Sequence, residues 1–267
     1  MTVTFSQIFT GLFLTALAGL ATGVGSCIAF FAKHSDKKFL SCALGFSGGV
    51  MIYISLVELL AGSQMELSGI FGKRPGSLAA IAAFFGGIAV AMLIDKLVPS
   101  YENPHEVRKV EEMTSPTHQD KLIRSGKLFA LAIAIHNFPE GMAVFTSALT
   151  DPVTGISIAL AIAIHNIPEG ITVSVPIYHA TGSKQKAFVY SFLSGLAEPL
   201  GALAAWAFLL PFISPALLSI TFAAVAGIMV FISFDELLPL AEEYGEHHLA
   251  ITGLVAGMLV MALTLIW

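Results

Sequence analysis

The chain has 267 residues, a formal net charge of −5, 56% hydrophobic residues and only 12% charged ones, with a mean hydropathy of +0.83. A soluble domain carries roughly 25% charged residues, so the composition excludes a water-surrounded globule, and nothing in it resembles a basic nucleic-acid face. The two cysteines, Cys27 and Cys42, both lie in apolar runs, which excludes a disulfide framework and a CxxC metal site.

A helix needs about 17 to 25 apolar residues to cross a bilayer, and such runs occur at 8–32, 40–62, 76–98, 128–149, 154–178, 187–212, 216–240 and 249–267. The reading is all-α: a polytopic membrane protein of eight transmembrane helices, a single transmembrane domain over 1–267. The first run has no basic segment before it and no small-residue cleavage pattern, so it is expected to stay as a helix rather than leave as a signal peptide. Glu58 lies near the end of the second run. Residues 100–127 mix both charges with prolines, His105 and His118, as expected of a loop without a core of its own.

The fourth run contains LAIAIHNFPEG at 131–141 and the fifth LAIAIHNIPEG at 160–170, different at one position only; the fifth goes on to His179. The sixth contains SGLAEPLGA at 194–202, the seventh Asp235 and Glu236, and the link to the eighth reads AEEYGEHH at 241–248. With the N-terminus outside, Lys33, Lys37, Lys38, Lys96, Lys184, Lys186 and the basic residues of 100–127 fall inside, leaving Lys73 and Arg74 outside. Basic residues gather on the cytoplasmic side. Both termini are therefore expected outside and 100–127 in the cytoplasm.

Two repeats of different range are present. One is the LAIAIHNxPEG pair on neighbouring, oppositely directed spans four and five. The other pairs GVMIYISLVELL at 49–60 with GIMVFISFDELL at 227–238, on spans two and seven, which also run oppositely. Paired segments of opposite direction are the trace of an inverted repeat about an axis in the membrane plane, with ion sites near the midplane. Spans 1–3 would then mirror 6–8 around the central pair 4–5. Glu58 and the Asp235–Glu236 pair would mark mouths on opposite faces. His179 and the 241–248 link stand where they could relay metal on the cytoplasmic side, or be ordinary solvated residues.

Glu58, Glu140, Glu169, Glu198, Asp235 and Glu236 all fall within spans, and no Lys or Arg lies clearly at membrane depth beside them. An ionised side chain at the bilayer centre costs about 2.5–3.5 kcal/mol on insertion scales, so unpaired anions call for a cation. Residues four apart share a helix face, which sets His136 over Glu140 and His165 over Glu169. Imidazole nitrogen with carboxylate oxygen suits zinc and other first-row divalent metals. Asn137 and Asn166 add amide oxygens farther round each helix. Pro139 and Pro168 free the carbonyls of Ile135 and Ile164 and bend the helix. Glu198 also precedes a proline at mid-span, so three helices converge on one or two metal ions. The competing structural reading has these groups bonding one another to hold a bundle. An intramembrane metal hydrolase is the enzymatic alternative, although HExxH is absent.

HNFPEG at 136–141, HNIPEG at 165–170 and SGLAEPLGA at 194–202 resemble the ZIP metal transporters, most of all the short bacterial ZupT-type branch. The resemblance implies an eight-helix fold, a homodimer in the bilayer of a bacterial inner membrane, no resident cofactor, and import of zinc with acceptance of iron, manganese, cobalt or cadmium. It implies one metal ion held by His136, Glu140, His165 and Glu169. A second would lie between Asn137, Glu140, Asn166, Glu169 and Glu198, with the glutamates bridging. The 100–127 loop departs from the histidine-rich loop of many relatives.

Overall fold

The computed structural model describes residues 4–31, 37–97, 133–134, 137–209, 214–244 and 247–266, and every element among them is a helix. In chain order these are α1 (Phe5–Phe31), α2 (Lys37–Tyr53), α3 (Ala61–Phe71), α4 (Lys73–Leu97), α5 (137–150), α6 (Pro152–Thr181), α7 (Lys184–Gly195), α8 (Ala197–Ala204), α9 (Pro215–Ile232), α10 (Leu238–Tyr244) and α11 (His247–Thr264). Seven helices among the described residues are long and apolar enough to cross a membrane. The run at 128–149 lies partly outside the described residues; its described part is α5. The 100–127 loop lies wholly outside them.

Local chemistry sets the boundaries. At the start of α6 the Asp151 carboxylate accepts from the Val153 and Thr154 amides, Pro152 takes the first turn, and Gly182 closes the far end at φ 63°. Proline fits a first turn because its missing N–H would find no helical acceptor there. Ser183 caps α7 and Ser214 caps α9 in the same way.

The sixth predicted span is one continuous helical run, Lys184–Phe208, irregular at Leu196, which keeps right-handed helical dihedrals of φ −67° and ψ −13°. Glu198 follows in the first turn of α8, with Pro199 just behind it. Span two is longer than its hydropathy suggested: Ser41–Phe71 continues as one candidate span, since AGSQMELSGIF is polar but contains no proline to stop a helix.

Among the described residues, three stretches wind as π-helix: Ile54–Leu60 between α2 and α3, Ala205–Leu209 after α8, and Ser233–Leu237 between α9 and α10. The first and last fall at the same place in the 49–60 and 227–238 repeat. Glu58 sits in one and Asp235 and Glu236 in the other.

The helices pack in two groups. In one, α1 lies against α6, α7 and α8, and α6 against α7, with α5 held on α1 and α8 through Gly11 facing Phe145 and Gly141 facing Glu198. In the other, α2 packs on α11 and α10, and α4 on α3 and α9. The groups meet mainly where α2 crosses α6, across a shared apolar core that includes Leu44, Met51, Val144, Ile158 and Ile162.

Within each group helices cross at glycines, where a Cβ would strike a carbonyl of the neighbour. Gly49 faces the Leu254 carbonyl and Gly227 that of Phe84. Gly25 faces Ile167 and Gly170 faces Thr22, while Gly201 faces Phe138 and Gly141 faces Glu198. Gly19 and Gly195 face each other's carbonyls.

Candidate metal centre

The site lies inside the first group. The α6 helix continues through Pro168, so His165 and Glu169 keep their common face. α5 lays Glu140 against that face. The first turn of α8 brings in Glu198. Glu140, His165, Asn137, Asn166 and Glu198 are fully buried and Glu169 is 1% exposed. No Lys or Arg is among the buried described residues.

His165 Nδ1 stands 3.2 Å from the Ala161 carbonyl oxygen. A carbonyl can only accept, so this contact requires the hydrogen on Nδ1. In the neutral ring Nε2 then carries its lone pair, 3.2 Å from Glu140 Oε1 and 4.0 Å from Glu169 Oε1. Three groups with lone pairs converge at full burial, an arrangement that a shared proton or a metal ion between them makes favourable. The His165–Glu140 spacing is close to the edge, about 3.3 Å, of a tetrahedron with metal–ligand bonds of about 2.0–2.1 Å. A backbone carbonyl on the far ring nitrogen is the usual second partner of a metal-binding histidine.

The second half of the site is built from oxygen. Asn166 Nδ2 donates to the Ala18 carbonyl at 2.9 Å and to Glu198 Oε1. Asn137 Nδ2 donates to the Ser194 carbonyl at 3.4 Å. Asn137 Oδ1, Asn166 Oδ1 and Glu198 Oε2 are buried without a hydrogen-bond partner among the described residues. Such atoms cost about 1–3 kcal/mol each when nothing satisfies them, and a hard cation would.

His136, the remaining residue expected here, lies outside the described residues. Among those described, no three His, Cys, Asp or Glu side chains already form a chelating group. Of the expected relay residues, Glu242 pairs with His247 Nδ1 at 2.7 Å on the surface and the side chain of His179 lies outside the described set, as does that of Glu236 at the expected inner mouth. Of three buried hydroxyl residues that the sequence reading passed over, one contacts a site residue and two pack on the helices that carry the site. Ser47 on α2 donates to the His165 carbonyl at 3.3 Å, Ser191 donates to the Gly170 and Thr22 carbonyls, and Thr22 is buried beside Gly195. A sequence signal for the last exists: LAGLATGVG at 17–25 aligns with LSGLAEPLG at 193–201, setting Thr22 opposite Glu198.

The family model described as ZIP Zinc transporter matches residues 96–265. The chain is 59% identical to a protein named Zinc transporter ZupT from Streptococcus mutans serotype c, covering 97% of this chain and 98% of the relative. Proteins of the same name from Akkermansia muciniphila (59% identical, all of both chains) and Clostridium perfringens (55% identical, 98% and 96%) match similarly. The chain belongs to the ZIP zinc transporter family. ZIP proteins are membrane transporters, not enzymes, so the hydrolase alternative has no support. The buried His–Asn–Glu cluster thus lies within a ZIP family protein.

Proposed function

We propose that this ZIP protein imports zinc into the cytoplasm, and with it other divalent metals such as iron, manganese, cobalt and cadmium. The site is His136, Glu140, His165 and Glu169 for one ion and Asn137, Glu140, Asn166, Glu169 and Glu198 for a second, with the metal as substrate. The observation that carries this is the convergence of His165 Nε2 on the Glu140 and Glu169 carboxylates at full burial, beside the buried Asn137, Asn166 and Glu198 side chains. The relatives' name, zinc transporter, agrees with it.

The wider architecture belongs to the same reading: eight spans in a bacterial inner membrane, both termini outside, a homodimer, and spans 1–3 mirrored by 6–8. The paired glycine crossings support the mirror. Gly49–Leu254 and Gly227–Phe84 use equivalent positions of the 49–60 and 227–238 repeat. Ala18, Gly19, Thr22 and Gly25 of α1 make to α6 and α7 the contacts that Ser194, Gly195, Glu198 and Gly201 make to α5 and α1. The two matching π-helical turns support it as well.

The test is uptake of several divalent metals into liposomes holding only this protein, with pH and voltage set independently. Saturable zinc entry is expected. Sealed, correctly inserted protein that admits no zinc under any gradient would end the transport reading.

A further inference from the structure

Thr22 is fully buried, and its hydroxyl has no hydrogen-bond partner among the described residues. Ser41, Ser55 and Ser147 share that state, but among the buried threonines described Thr22 stands apart. Thr15, Thr146 and Thr181 each donate to a carbonyl one turn back in their own helix, at 2.7 Å, the ordinary resting place of a helical threonine. For Thr22 that carbonyl is Ala18, and Ala18 already accepts from Asn166 Nδ2. The site's own amide has taken Thr22's usual acceptor.

The crossing pattern says where the hydroxyl stands. Asn166 bonds Ala18 four residues before Thr22, and Asn137 bonds Ser194 four residues before Glu198. Gly170 meets the Thr22 carbonyl as Gly141 meets that of Glu198. Thr22 therefore bears the same relation to Asn137 that Glu198 bears to Asn166. The Glu198 carboxylate touches Asn166; the Thr22 oxygen sits two bonds closer to its backbone. The shortfall in reach is about 2.5 Å, close to an O–H···O separation, so a water oxygen fits where a second carboxylate oxygen would otherwise be.

We propose that Thr22 is a positioning residue of the oxygen-rich half of the metal site, holding a water ligand on the second ion in the place mirrored to the Glu198 carboxylate. The pairing of one carboxylate with one hydroxyl-held water limits the negative charge there and favours ions that keep a water and take oxygen ligands, such as manganese. This rests on the two-ion transport reading above.

Thr22→Val is the test, because it keeps the shape and removes only the hydroxyl. A purely structural Thr22 predicts a neutral or more stable variant, since its hydroxyl satisfies nothing. Wild type, Thr22→Val and Thr22→Ser are compared for zinc uptake in liposomes with manganese as competitor, and for manganese binding by electron paramagnetic resonance in detergent, with deuterated water to count coordinated water. Expected in Thr22→Val is at least about a tenfold weaker grip on manganese, the scale of an outer-shell loss. The bound ion should show fewer waters and the zinc KM should change less than the manganese constant, with Thr22→Ser behaving as wild type. Unchanged manganese binding and water count in Thr22→Val, loss in Thr22→Ser equal to that in Thr22→Val, or a wild type that binds no manganese would each overturn the proposal. The binding arm needs no transport, so a wild type that holds manganese with Thr22-dependent water yet moves no zinc would refute the transport reading and leave the water site standing.

Discussion

The two helix groups solve the same problem differently. In the group of α2–α4 and α9–α11, Ser63, Ser219 and Ser233 return their hydroxyl hydrogens to their own helix, at Leu59, Pro215 and Met229, and Ser47 alone of its described hydroxyls is seen to reach the site group, at the His165 carbonyl. Their helices hold together through glycine crossings and apolar side chains. In the group of α1 and α5–α8, polar side chains reach across to neighbouring backbones and to one another, as Asn166 does to Ala18 and Glu198 and Ser191 does to Gly170. Self-satisfied hydroxyls make a helix inert toward its surroundings. Side chains bonded between helices fix relative positions, and the oxygens left over face the site. What sets the site group apart among the described residues is that the buried amide, imidazole and carboxylate side chains all belong to it.

The sharpest contrast comes from one substitution in each group. Glu169→Ala removes a carboxylate shared by both ions and should cut zinc uptake at least about 100-fold, beyond the range seen for outer-shell partners. Ser219→Ala removes only a bond back to Pro215 and should leave uptake within about twofold, since a single self-bonded hydroxyl contributes on the order of 1 kcal/mol to stability and nothing to the site. Initial rates on matched amounts of inserted protein check both. Near-normal uptake by folded Glu169→Ala would erase the distinction between the groups.

Within the site, His165→Ala should depress zinc uptake about tenfold more than manganese uptake, because imidazole nitrogen favours zinc. Asn166→Ala should do the reverse. A common factor for all metals in both variants would refute the division into a nitrogen-bearing and an oxygen-bearing position.

Much of this was readable in the sequence where the relation is local. The four-residue spacing of His165 and Glu169 survives because nothing stops α6 at Pro168, and the acids without basic neighbours pointed to a cation. What could not be read depends on contacts between distant segments. Leu196 gives no sign that the helical ladder of span six is irregular there, just before Glu198. The π-helical turns contain no proline or glycine to announce them. Thr22 is marked in sequence only by the likeness of 17–25 to 193–201, and nothing there tells that Asn166, far along the chain, bonds its usual acceptor.

Packing gives a smaller effect that separates the groups from the lipid. Gly141→Ala pushes a Cβ into the Glu198 carbonyl and should cost about 1–3 kcal/mol as overpacking, together with a loss of metal affinity because Glu198 must move. Gly86→Ala meets nothing within 4 Å and should be neutral or stabilising by up to about 1 kcal/mol, as alanine is the better helix former. Thermal unfolding in detergent with and without zinc reads both terms.

The smallest effect lies at the water-facing cap of α6. The Thr154 hydroxyl, then the Thr154 amide and the Val153 amide, hold the exposed Asp151 carboxyl below its ordinary value of 3.8. Its contribution to stability is therefore present above that ordinary value and lost as the pH falls through the lowered one. Asp151→Ala should remove a slight acid-dependent part of the melting temperature, and Asp151→Asn, which also caps, should keep the stability while removing that pH dependence. Neither should alter metal affinity.

The convergence of His165 with Glu140 and Glu169 on one ion is most directly measured by X-ray absorption at the zinc edge, on zinc-loaded wild type and His165→Ala in detergent. A site built as described predicts a nitrogen and oxygen shell at about 2.0–2.1 Å, with outer-shell imidazole scattering that falls clearly in His165→Ala. A wild-type shell dominated by sulfur, or a spectrum that His165→Ala leaves unchanged, would contradict it.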